Sequence, residues 1–149
     1  MIKEININDR KAAEQVLGVQ LPAFKIEAEI IGFPDLPPLK DTANTLQITG
    51  ETFFGYFTGE ILSGVISIKQ EKGVLDIHRL IVHPEYFRMG IAQKLLNFIE
   101  RMPMIEKLVV TTGSKNSPAV NFYLKNGFKE LDKMEINEAL TITAFEKLL

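Results

Sequence analysis

A chain of 149 residues, 46% hydrophobic and 24% charged, is long enough for one domain with a real core and is ordinary for a globular protein. A formal net charge of -2 offers no general attraction to nucleic acid or to an anionic membrane. The absence of cysteine excludes disulfides, thiolate nucleophiles and cysteine-ligated zinc, and two histidines, His78 and His83, are too few for a histidine-rich metal site. The N-terminus, Met1-Ile2-Lys3-Glu4-Ile5-Asn6, has no apolar signal region, and no apolar run approaches the roughly 20 residues that span a bilayer, so the cytoplasm is the expected compartment.

Ile2 to Ile7 reads as a short strand. Asn8 or Asp9 can cap a helix over roughly Arg10 to Leu17, with Gly18 as its stop. From Gln20 to Gln47 the prolines at 22, 34, 37 and 38 predict an irregular connection. Its apolar residues, among them Phe24, Ile31, Phe33, Leu36 and Leu39, are too many for a disordered linker. A packed connection and a substrate-binding segment fit equally, with room for a short helix within Ala23 to Ile30.

Thr52 to Phe57 and Ile61 to Lys69 are aromatic and β-branched and predict an antiparallel hairpin. Val74 to Val82 follows after a turn, and its Leu80-Ile81-Val82 end is apolar enough for a central strand covered on both faces. Ile91, Leu95, Ile99 and Met102 mark a helix from Ile91 to Met102. Lys107 to Thr112 is a short buried strand, so the strand–helix–strand unit is right-handed and its two strands parallel. Ser117 followed by Pro118 predicts a helix start, running to Asn126 with Gly127 as its stop. Phe128 to Ile136 and Leu140 to Leu148 close the chain as a hairpin. The fold class is α/β with a mixed sheet: antiparallel strands, then a central parallel βαβ pair, then a C-terminal hairpin, all in one domain spanning 1–149.

Two stretches carry chemistry. Between the third predicted strand and its helix lies Arg88-Met89-Gly90-Ile91-Ala92. The first N–H groups of a helix have no internal partners and favour an anion, Gly90 lets the backbone approach closely, Ala92 keeps the turn small, and Arg88 can add a charge-assisted contact. That arrangement suits the phosphates of a cofactor. The second stretch is Asn116 with Asn121-Phe122-Tyr123-Leu124-Lys125-Asn126-Gly127-Phe128.

With the order of elements, the run from Leu80 to Ala92 and this second block resemble the GNAT superfamily of acetyl-CoA-dependent N-acetyltransferases, as a bacterial-type single-domain member. The first matches the family's V-x-P strand end and Q/R-x-x-G-x-G/A turn, except that Phe87 stands at the Q/R position and the basic residue is Arg88. The second matches its N-x-x-A-x-x-x-Y-x-x-x-G-F block.

The resemblance implies acetyl-CoA as acetyl donor, no metal, and direct transfer to an amine. It implies that the strand end at Leu80, Ile81 and Val82 splays from the Leu108–Thr112 strand and pairs with the pantetheine arm, and that Arg88, Met89, Gly90, Ile91, Ala92 and Gln93 hold the phosphates. Asn116, Phe122 and Tyr123 would flank the arm, with Tyr123 as the acid that protonates the leaving thiolate. His78 and Asp76, read as sharing one strand face with Leu80 and Val82, are alternative bases, while His83 reads as a turn residue. The expected acceptor is the amine of a small molecule, drawn by acids such as Glu27, Glu29, Asp35 and Asp41. A protein or peptide acceptor and a non-catalytic acyl-CoA-binding module stand as alternatives. No nucleic acid or membrane partner is expected, and a homodimer through the C-terminal strands is left open.

Overall fold

Alternating and β-branched segments carry the chain into seven strands of one mixed sheet, and the computed structural model describes every residue, 1–149. In chain order the elements are β1 (Ile2–Ile5), α1 (Arg10–Ile31), α2 (Ala43–Gln47), β2 (Thr52–Thr58), β3 (Ile61–Glu71), β4 (Val74–Val82), α3 (Ile91–Glu100), β5 (Lys107–Gly113), α4 (Ser117–Lys125), β6 (Lys129–Glu135) and β7 (Thr141–Leu148). Short 3-10 turns lie at Pro37–Lys40 and Pro84–Tyr86. The strands lie in the order β1-β2-β3-β4-β5-β7-β6, and only the β4–β5 pair is parallel, as the βαβ reading requires. No helix is long and apolar enough to cross a membrane.

The largest departure from the sequence reading is α1. It runs 22 residues, through both Gly18 and Pro22, and ends at Gly32 with φ 78°. The stop expected at Gly18 fails because the apolar stripe does not stop there: Val16 and Val19 are buried against the sheet, and Ala28 and Ile31 are buried further on, with Leu36 and Leu140. Burying those side chains outweighs roughly 1 kcal/mol for a helical glycine. Pro22 removes only the hydrogen bond to the carbonyl of Gly18, the residue most able to absorb local bending. Asp9 caps the start, accepting from the Lys11 N–H. At α4 the cap is Asn116 rather than the expected Ser117. Its Oδ1 accepts from the Ala119 N–H at 3.3 Å, and Pro118 sits in the first turn.

The sheet is covered on both faces. On one, Leu95, Leu96 and Ile99 of α3 and Tyr123 of α4 pack with Ile66, Ile68, Leu75 and Ile77. On the other, Val16 and Val19 of α1 pack with Phe53, Val65 and Ile81. The register of β4 against β3 slips by one residue, because Ile77 pairs with Ile68 and Arg79 with Ser67, leaving His78 as a β-bulge. The alternation of faces therefore inverts at His78. Ile77 faces α3 and α4, whereas Arg79 and Ile81 face α1, and Leu80 and Val82 return to the α3 side. Asp76, His78, Leu80 and Val82 do not share a face, which corrects the strand-parity reading.

Gly64 of β3 positions α3. A Cβ there would lie 2.7 Å from Cγ2 of Ile91, the first residue of α3, and 3.2 Å from the Ile81 carbonyl oxygen. Only glycine lets the helix start seat this closely on the sheet. Gly64→Ala is expected to destabilise the protein by about 1–3 kcal/mol through overpacking, read as a lowered urea midpoint with an unchanged slope.

Candidate functional site

The β4–β5 ladder is short. Val74 to Ile77 pair with Lys107 to Val110, and from there the strands part. Their outer edges stay bonded, β4 to β3 as far as Val82 and β5 to β7 as far as Gly113, so the sheet holds the gap open from both sides. The His83 N–H donates to the Ser63 carbonyl at 2.8 Å. By the alternation of an antiparallel ladder, Arg79 and Ile81 also bond towards β3, and the N–H and C=O groups of Leu80 and Val82 point the other way, into the gap. The side chain of Ile81 is buried on the α1 face, so Ile81 presents neither backbone nor side chain to the gap.

At the end of β4, His83 caps the 3-10 turn, its Nδ1 accepting from the Glu85 N–H at 3.1 Å, in keeping with a turn role. Phe87, Arg88, Met89 and Gly90 are all exposed. Arg88 (φ 65°) and Gly90 (φ 75°) adopt left-handed conformations around Met89. Such alternation turns successive N–H groups towards one side and suits an anion. Gly90 is the N-cap of α3 and no side chain caps it, so the first N–H groups of Ile91, Ala92 and Gln93 face outwards at the positive end of a ten-residue helix. The side chain of Gln93 is engaged elsewhere: its amide donates to Asn97 at 2.9 Å and to Asn126 at 2.7 Å, tying α3 to the end of α4.

Where the strands part, a cleft of about 380 Å³ passes between them, lined from both faces of the sheet. Leu80, Asn116 and Tyr123 line it on the α4 side; Phe24, Glu27 and Ile31 of α1 and Leu36 to Pro38 line it on the other, and Ile136 and Leu140 of the β6–β7 turn close one flank. Gly113 lets the end of α1 settle here, since a Cβ on it would lie 2.5 Å from the tip of Ile31. Tyr123 is 5% exposed and its ring is wedged among Phe122, Phe128 and Phe145, with centroids 5.4, 5.2 and 5.9 Å away. Burial pushes its phenol well above the usual tyrosine range, and the charge of Glu27 adds to the push, so the hydroxyl keeps its proton throughout the physiological range. Burial also raises the Glu27 carboxyl, an effect the Asn116 side chain partly offsets.

His78 also lines the cleft, but its ring is occupied: Nε2 lies 3.3 Å from Asp76 and Nδ1 3.7 Å from Glu51. Asp76 is absent from the cleft and lines an open depression with Thr52 and Lys69. Phe122 packs beside Tyr123 without lining the cleft.

Arg79, which the sequence reading passed over, organises the α1 side. Its guanidinium contacts Glu51 and Asp41, each at 3.1 Å, over the face of Phe53. Gln20 of α1 donates to Asp41 at 2.8 Å and to the Pro38 carbonyl at 2.9 Å, and Ser67 donates to Glu51 at 2.6 Å. These bonds fix the Pro37–Lys40 turn against the sheet as a wall of the cleft. The one hint in the sequence is an arginine inside an otherwise apolar strand end; its partners lie 28 and 38 residues away.

Residues 49–130 match a family described as an acetyltransferase (GNAT) domain. The chain is 37% identical over 146 residues to the UPF0157 protein YqkA of Bacillus subtilis (strain 168); this covers 97% of the chain but 43% of that protein, so the chain spans less than half the length of this curated relative. Among solved structures it resembles the PaiA N-acetyltransferase of Thermoplasma acidophilum in complex with coenzyme A, with TM-score 0.79 at 23% identity over 100% of this chain and 98% of that one. It also resembles the ribosomal-protein-S18-alanine N-acetyltransferase of Escherichia coli, with TM-score 0.76 at 14% identity over 99% and 92%. At these identities the structural likeness concerns the fold, a mixed sheet with one parallel pair.

Two stability predictions follow from the buried charges. Arg79→Met strands the Glu51 and Asp41 carboxylates and is expected to cost about 3–5 kcal/mol, measured by urea unfolding. For Glu27 the folded state favours the protonated carboxyl. Stability is therefore lost as pH rises from the ordinary carboxylate range through the raised folded value, and a constant penalty remains above it. Glu27→Gln removes that penalty, so its Tm should exceed the wild type's by a few degrees at pH 8 and converge with it near pH 4.

Proposed function

The chain belongs to the GNAT acetyltransferase family, and from that premise we propose that it is an N-acetyltransferase, working as one domain over 1–149, with acetyl-CoA as donor and a primary amine of a small molecule as acceptor. The observation that carries this reading is the gap between β4 and β5, where Leu80 and the buried Tyr123 line one passage through the sheet, with Val82 and the exposed start of α3 following along the chain from the same strand end.

These residues suit acetyl-CoA in each of its parts. The pantetheine arm carries two amides that need strand-like partners, and Leu80 and Val82 offer unpaired N–H and C=O groups in a groove one strand wide. The pyrophosphate needs converging N–H donors, which the Arg88–Gln93 backbone and the Arg88 guanidinium provide. Phe87 at the usual polar position leaves this backbone function intact. The bound thioester supplies an activated acetyl group.

The chain's own residues then do the rest. Leu80 and Val82 orient the arm and set an N–H near the charge that develops on the carbonyl oxygen, a contribution of a few kcal/mol in acyl transfers. The Tyr123 hydroxyl, protonated in the physiological range, is the group that can give a proton to the departing sulfur; the burial that keeps it protonated also makes it a weaker acid, so the transfer is driven by the charge that builds on the sulfur. With no cysteine in the chain, transfer is direct, and a cleft lined from both faces of the sheet accommodates donor and amine together. The volume of about 380 Å³, walled by Pro37 and Pro38 and flanked by the β6–β7 turn, favours a small amine over an extended peptide.

Acetyl-CoA at 100 times its Kd should stabilise the protein by about 2.7 kcal/mol, visible as a thermal shift; no shift at millimolar concentration would overturn the reading. Tyr123→Phe should show the same acetyl-CoA shift while kcat, followed by thiol release, falls about 100-fold.

A further inference from the structure

The acids of the α1–α2 region differ in what they are free to do. Glu29 and Asp35 are exposed to solvent, and Asp41 is held by Arg79, Gln20 and Thr45. Glu27 alone lines the cleft, from the face of the sheet opposite Tyr123, and it is the only carboxylate to do so. The other charged or titratable groups there are Tyr123, His78, caught between Asp76 and Glu51, and Arg79, spent on Asp41 and Glu51. Phe24, Ile31, Leu36, Pro37 and Pro38 make the wall on the α1 side apolar, and the neutral Thr111, Thr112 and Asn116 line the other side.

We propose that Glu27 receives the ammonium group of the acceptor, and that the acceptor is a monoamine with an apolar body seated against Phe24, Leu36 and Pro37 rather than a polycation. A polyamine would bring two or more charges into a cleft with one carboxylate and a fixed guanidinium, leaving the extra cations to face only neutral groups and the Arg79 charge. A monoamine places its one charge on Glu27 and its body on the wall.

The inference rests on the acetyl-transfer reading and completes its proton balance. The ammonium gives one proton to the Glu27 carboxylate. The free amine forms the N–C bond to the thioester carbon, and the C–S bond breaks. The sulfur takes the Tyr123 proton, the second nitrogen proton restores Tyr123 through water, and the proton on Glu27 passes to solvent. The net products are the amide, the free thiol and one proton. Burial lifts the Glu27 carboxyl towards neutrality, which makes it a better proton acceptor than an exposed carboxylate. This assigns to α1 the base expected from Asp76 or His78 on β4.

Hexylamine and spermidine are suitable probes. The wild type should release thiol from acetyl-CoA with a kcat/KM at least tenfold higher for hexylamine than for spermidine, and hexylamine alone should raise Tm. In Glu27→Gln the kcat/KM for hexylamine should fall about 100-fold, the acid limb of the pH–rate profile should disappear, and the hexylamine thermal shift should be lost while the acetyl-CoA shift remains. Glu27→Asp should recover part of the rate. A preference for spermidine, or a Glu27→Gln enzyme with wild-type kcat/KM and pH profile, overturns the inference and leaves acetyl transfer standing. If neither amine releases thiol and acetyl-CoA gives no thermal shift, both readings fall.

Discussion

The structure depends on an interrupted ladder. Two parallel strands at the centre of the sheet bond for four residues and then part, although each stays fully bonded to its other neighbour. Unpaired backbone groups in a sheet interior are costly, and a chain retains them only where water or a ligand can reach them. The bulge at His78 is what allows the parting. It inserts one residue in β4, inverts the faces beyond it, and sends Arg79 to the side where α1 waits. The cleft is thus built into the sheet itself, before any loop contributes to it.

Two buried charges on the same face serve different ends. Arg79 is fully partnered, and its bonds to Asp41 and Glu51 link three segments that would otherwise meet only through apolar contact. Glu27 has only a neutral partner, the Asn116 side chain, which burial outweighs. A fully compensated ion cluster supports geometry, whereas an under-compensated carboxyl holds free energy that a cationic ligand can relieve. Their proximity in one cleft fits the general pattern in which rigid, satisfied groups frame a site and strained ones act in it.

The half of the fold from Thr52 to Phe128 was legible because its signals agree with one another. β-branched runs, a 3.6-residue stripe over Ile91–Ile99 and glycine turns at 59, 73, 90 and 127 all point the same way. The first third was not. Gly18 and Pro22 are local stop signals, and the tertiary burial that overrides them, of Val16, Val19, Ala28 and Ile31, cannot be seen without the sheet. The bulge at His78 leaves no local mark either, so strand parity put His78 and Leu80 on one face. Glu27 stood as one of four comparable acids, because burial, the property that separates it from Glu29 and Asp35, belongs to the folded state. Asn116 took the cap from Ser117 by one position, because its amide oxygen accepts from the Ala119 N–H.

The missing hydrogen bond between Pro22 and Gly18 divides α1 into two parts with different duties. Val16 and Val19, ahead of the break, are anchored in the sheet core, whereas Glu27 and Ile31, beyond it, line the cleft, with Phe24 touching both. A helix weakened at one point transmits bending poorly across it. The outer half therefore takes its angle to the sheet from its own seat, Ala28 and Ile31 on Leu36 and Leu140, so the acceptor wall is placed by the C-terminal turn as much as by the core.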